Sequence, residues 1–170
     1  LQSQGWPASD ILNLADFANE WQNLDIDSSI AMLVDLETDE PTTVSNIILM
    51  CRNLRRRPKT VAYGYLAVAR RHIERFLRSH RVEVVFGEGT WGFELMAWLV
   101  SQRIGIPMVT PVTTRIPNDR FYFADAKSGD LFQIAESAPV DRAWAEEFLI
   151  TWTQRPTQPR FAQDIRTFDW

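Results

Sequence analysis

Apolar positions recur at helical spacing through most of the first eighty residues. Ile11, Leu12, Leu14, Ala15, Phe17, Ala18 and Trp21 fall on one side of a segment whose other side carries Asp16, Asn19 and Glu20. That pattern predicts a helix over about 9–23, with Ser9 as its N-cap, after a polar arm over 1–8. Residues 25–40 admit two readings, a helix capped by Asp27 or a short buried strand over 29–36. Thr43 or Ser45 caps a helix expected to reach Leu54, and the run Arg55-Arg56-Arg57-Pro58 ends it, cations being favourable near a helix C-terminus. The longest periodic stretch covers 59–80. Tyr65, Leu66, Ala69, Ile73, Phe76 and Leu77 make its stripe, and Glu74 can pair with Arg78 four residues on.

The period then changes. Val82, Val84, Val85 and Phe86 form a short β-branched apolar run of the kind found in buried parallel strands. A glycine turn over 87–92 follows, then a helix to about Arg103 that Gly105 stops, then a second strand over 106–112 shortened by Pro107 and Pro111. The sequence Phe121-Tyr122-Phe123 and the segment 131–134 read as the arms of a hairpin around Lys127-Ser128-Gly129-Asp130. Asp141 caps a last helix to about Thr153, and Pro156 and Pro159 introduce an aromatic tail. The expected fold is α/β, Rossmann-like and helix-rich, with a short mostly parallel sheet and a β-hairpin near 120–134. A single domain is expected over 1–155, with a linker or strap over 156–170.

Composition narrows the classes. The 170 residues are 45% hydrophobic and 24% charged, which is globular and not disordered. The single Cys51 leaves no internal disulfide framework, and no apolar run is long enough for a membrane helix. Without a signal-like start, a cytoplasmic location is expected, with at most a peripheral membrane contact by the helix over 59–80. A net charge of −4 argues against a nucleic-acid partner, although 16 of the 18 basic residues are Arg, the side chain suited to forked recognition of anions. The acidic group Asp35, Glu37, Asp39 and Glu40 lacks any neighbouring His or Cys and reads as a solvated loop, so no metal is expected. His72 and His80 read as surface or packing residues, and Cys51 as a packed thiol.

In open α/β sheets, ligands sit beyond the carboxyl ends of parallel strands, which singles out the loops 87–92 and 111–120. The first spells Gly87-x-Gly89-x-x-Gly92, the spacing of a dinucleotide-binding turn. Glu88 inside it would oppose a pyrophosphate, and Thr110, Pro111 and Val112 stand where an acidic ribose ligand belongs. A second use of the same loop is to present Glu88 as a general base or sugar ligand, with Gly87, Gly89 and Thr90 shaping the turn and Trp91 offering a flat face to a sugar ring. The competing structural use is that Glu88 caps the helix and Trp91 packs the turn. In the second loop, Thr114, Arg115, Asn118 and Arg120 make a set suited to phosphate or carboxylate, or a connection tied by Arg115 and Asp119.

Residues 82–134 resemble the amino-terminal domain of bacterial glycosyltransferases of the GT-B fold from capsular and surface polysaccharide clusters. The likeness rests on Val84-Val85-Phe86-Gly87-Glu88, on Gly105-Ile106-Pro107, and on Thr114-Arg115-Ile116-Pro117-x-x-Arg120-Phe121-Tyr122-Phe123. An acidic residue followed by Trp91 is more loosely similar to lipid-A Kdo transferases. The resemblance implies the acceptor-side half of an enzyme that moves a sugar from a nucleotide-activated donor to a saccharide hydroxyl. It implies Glu88 as base or acceptor ligand and Arg115 and Arg120 as contacts to an anionic acceptor. The donor would sit on a second α/β domain, in cis or in trans, and no other cofactor is implied. A start at Leu1 in place of Met, with a length that suits one such half, supports the expectation of an excised fragment that is inactive alone. The alternatives are a non-catalytic protein-interaction domain, for which the seven Trp are suited, and an NAD(P)-dependent oxidoreductase.

Overall fold

A computed structural model of the chain describes residues 7, 10–37, 42–113, 121–132 and 141–156. The fold is α/β. Six α-helices are described, α1 (Ala18–Asn23), α2 (Ile26–Ala31), α3 (Val44–Met50), α4 (Lys59–Ser79), α5 (Gly92–Arg103) and α6 (Arg142–Gln154), with strands β1 (Val85–Phe86), β2 (Met108–Thr113) and β3 (Phe121–Asp125). Short 3-10 turns at Leu14–Phe17, Val34–Leu36 and Leu54–Arg56 link the early helices.

The first predicted helix is divided. Asn13 accepts from the Ala15 N–H and caps a 3-10 turn, and the α-helical part starts only at Ala18. The ambiguous segment resolves as a helix, capped by Asp25, whose carboxylate takes the Ser28 N–H at 2.8 Å. Thr43 caps α3, which stops at Met50 because Cys51 turns to extended backbone and enters the core. The acidic loop serves the structure. Asp35 is held by the guanidinium groups of Arg70 on α4 and Arg103 on α5, and Glu37 accepts the Val44 N–H at 3.0 Å. Asp39 and Glu40 lie outside the described residues.

The core belongs to the helices. Leu33 and Leu36, Val44 and Ile47 of α3, Ala62 and Leu66 of α4, and Met96 and Leu99 of α5 are buried together. Gly64 of α4 is required there, because a Cβ would stand 2.6 Å from the backbone oxygen of Trp21 on α1. His72 packs in this layer, stacked on Phe17 at 3.6 Å and 3.3 Å from Glu20.

The two long helices feeding the sheet end alike. After α5, Gly105 at φ +76° lets its N–H and that of Ile106 return to Gln102 and Ser101. After α4, Arg81 takes the same left-handed position at φ 51°, and the Val82 N–H returns to the Leu77 carbonyl at 3.1 Å. That bond shortens β1 relative to the predicted run from Val82, since pairing begins only at Val85. β1 runs parallel to β2 and β2 antiparallel to β3, in the order β1-β2-β3. Pro111 is tolerated in β2 because β1 ends opposite Val109, leaving no ladder bond on that side. The hairpin after β3 closes through an Ala124–Leu131 bridge and an Asp125 carboxylate that accepts from the Lys127 and Ser128 N–H groups. Asp141 caps α6 as predicted, taking the Trp144 N–H at 2.9 Å. Among the described residues no helix is long and apolar enough to cross a membrane.

Candidate functional site

The loop after β1 is built by its glycines. The Gly87 N–H bonds Val109 at 3.2 Å and continues the parallel ladder, while a Cβ on Gly87 would meet the Met108 terminal methyl at 3.0 Å. Gly89 takes φ +67°, the left-handed conformation that reverses the chain. Glu88 is exposed at the tip between them. Among the described residues no hydrogen bond or ion pair engages its carboxylate.

Glu94, not Glu88, closes the helix end. Its Oε2 accepts from the Thr90 N–H at 2.9 Å, the Thr90 hydroxyl at 3.2 Å and the Trp91 N–H at 3.1 Å. The third residue of α5 therefore reaches back over the turn, satisfying donors that the helix cannot. This leaves Glu88 available. It also fills with a carboxylate the amides that a pyrophosphate would take in a dinucleotide-binding turn. Thr90 is consumed in this closure.

Trp91 faces the helical layer. It rims a groove of ≈ 590 Å³ between α1, the Leu54–Arg56 turn, the start of α4 and the start of α5. Trp21, Tyr65, Trp91 and Phe93 give the groove aromatic walls, and Gln22, Asn53 and Arg57 give it polar groups. Trp91 and Phe93 are 43% and 46% exposed, so the groove opens to solvent. Its floor is buried Cys51 and Gly92; a Cβ on Gly92 would come within 2.6 Å of the Leu54 Cδ1 and 3.3 Å of the Cys51 Sγ. Trp21 meets Tyr65 edge-on at 5.3 Å. Burial, and to a lesser degree the neighbouring Cys51, pushes the Tyr65 phenol above its ordinary 10, so it remains a neutral hydroxyl at physiological pH.

Such a groove suits a ring with both a flat apolar face and polar edges. Indole faces cover C–H surfaces, while the amides of Gln22 and Asn53 and the Arg57 guanidinium serve hydroxyls or anions. Sequence reasoning singled out Trp91 but missed Trp21, Tyr65 and Arg57. Trp21 lies far from the other two in the chain, and only the packing of α1 on α4 brings it to them. Thr114, Arg115, Asn118 and Arg120, the proposed anion-binding set, lie outside the described residues. Among the described residues no group of three or more His, Cys, Asp or Glu could hold a metal ion. No family model matches the chain, and neither a curated protein nor a solved structure matches it.

Proposed function

We propose that this chain is the acceptor-binding half of a glycosyltransferase. The observation that carries the reading is a free carboxylate, Glu88, at the carboxyl end of a parallel strand and three residues from the aromatic rim of an open groove. A saccharide acceptor lies against Trp91 in the groove and turns one hydroxyl toward Glu88. The carboxylate takes the hydroxyl proton as that oxygen bonds to the anomeric carbon of the donor sugar, and the bond from that carbon to the nucleoside diphosphate breaks. The donor is held by a second α/β unit. In the full protein, Glu88→Gln should lower transfer by about 10²–10⁴-fold with saccharide binding retained. Turnover unchanged by that substitution would contradict the reading.

A second reading, a protein-interaction domain, is favoured by the sheet. Phe86 and Phe121 stand edge-on to Phe123 at 5.3 and 5.6 Å, and both are exposed together with Tyr122. An aromatic patch of this kind is what a protein interface uses. The readings separate by mutation. Phe121→Ser should abolish partner binding under the second and leave saccharide binding untouched under the first.

A further inference from the structure

The groove's charge is one-sided. Arg57 is its sole charged lining residue among those described; no described carboxylate lines it, and Glu88 stands beyond its Trp91 rim. The asymmetry extends outward. Between Pro41 and Ile73 the chain has no Asp or Glu, whereas Arg52, Arg55, Arg56, Arg57 and Lys59 crowd eight positions, all exposed. Four other guanidinium groups are consumed, Arg70 and Arg103 by Asp35, Arg71 by Glu20 and Arg78 by Glu74, while Arg75, Arg81, Arg142 and Arg155 stand singly along the chain without an ion pair among the described residues. Among the described residues no ion pair engages Arg52, Arg55, Arg56 or Arg57. Glu94, the acid of the adjoining helix end, does not line the groove and already receives three donors. A local basic field on a molecule of net charge −4 concentrates anions at this one mouth.

We infer that the groove selects an acidic saccharide, its ring laid on Trp91 and its carboxylate or phosphate received by Arg57. The inference rests on the groove being the acceptor site and assigns recognition of an acidic acceptor to Arg57 of the groove, where the resemblance had implied Arg115 and Arg120. Arginine is the apt residue, because its planar fork pairs with both oxygens of a carboxylate or two of a phosphate. The neighbouring Arg52, Arg55 and Arg56 raise the local anion concentration without needing to touch the ligand. Their contribution is screened by salt, so the preference for acidic ligands narrows as ionic strength rises.

The test is a tryptophan-fluorescence titration, with Trp21 and Trp91 as reporters, using galacturonate oligomers, galactose oligomers of equal length, glucose 1-phosphate and inorganic phosphate. At about 50 mM NaCl the galacturonate oligomers should bind at least about tenfold more tightly than the galactose oligomers. Glucose 1-phosphate should bind more tightly than inorganic phosphate, since only the former brings a ring. Arg57→Gln, an exposed change whose fold is checked by its thermal midpoint, should bring acidic and neutral oligomers within about threefold of each other. Trp91→Ala should weaken both. Equal binding of acidic and neutral oligomers, or a preference that survives Arg57→Gln, would overturn the inference while sparing the acceptor site. Inorganic phosphate binding as tightly as the sugar phosphate would overturn it too. Absence of binding by every saccharide would overturn the acceptor site itself.

Discussion

The helical layer and the sheet solve the problem of burial differently. In the helical layer α3, α4 and α5, with Leu33 and Leu36, enclose a shared core, and the aromatic residues left over line a groove. Among the described residues, the sheet has one two-residue strand beside two longer ones and leaves Phe86, Phe121, Tyr122 and Leu131 exposed. α6 has no buried residue, and Leu149 and Ile150 on it are open to solvent. Under the proposed function, this exposed sheet is the face through which the donor-holding unit would meet the chain. Under the same reading, the groove lies in the helical layer, away from that face. Ligand binding should survive in the chain alone, even where turnover requires the second unit.

Core substitutions should show the contrast most strongly. Leu66→Ala, at a site with 0% exposure, is expected to lower unfolding free energy by about 2–5 kcal/mol in urea titrations. Phe121→Ala, at 64% exposure, should change it by no more than about 0.5 kcal/mol. Comparable losses at the two sites would break the comparison. Next in size, Gly64→Ala must push α1 away from α4, because its Cβ meets backbone and not a flexible side chain. A loss of about 1–3 kcal/mol is expected, with weaker ligand binding because Trp21 moves with α1.

A change in the opposite direction comes from the helix ends. Arg81 holds a left-handed conformation that Gly105 holds without a Cβ. Arg81→Gly should stabilise the chain by about 1 kcal/mol, read as a higher thermal midpoint. The smallest effects are electrostatic. The hydrogen bond from Arg70, against some opposing burial and with help from the charges of Arg70 and Arg103, holds the Asp35 carboxyl below its ordinary range. In the sheet region the Ser128 and Lys127 N–H groups do the same for Asp125. Both folded pKa values lie below the unfolded ones, so each contribution is present above the unfolded carboxylate pKa and lost as pH falls through the folded one. Asp35 is partly exposed and its share is small. Acid titrations with and without salt should separate the two, because the Asp35 ion pairs are screened while the Asp125 bonds to backbone N–H are much less so.

The same division explains what the sequence made legible. α4 and α6 stand close to their predicted spans, and the strand–turn–helix–strand unit keeps its predicted order, all following from local periodicity, glycine turns and the Asp141 cap. The length of β1 was hidden because it depends on the Val82 N–H being spent in closing α4. Glu94 as the helix closure has a sequence signal, an acid at the third position of a helix after a glycine turn, although Glu88 in the same turn offers a competing acid. The groove had none. Arg57 read as a helix end and Tyr65 as part of a stripe, since pattern within one helix cannot report which residues of another will face them.

The most direct test of the acceptor groove is a heteronuclear NMR titration of this chain with galacturonate oligomers. Shifts are expected in the Trp91 and Trp21 indole N–H signals and the Gly92 and Phe93 amides, with Phe86 and Phe121 unmoved. Shifts confined to Phe86, Phe121 and Tyr122, or none at saturating ligand, would contradict an acceptor role for the groove.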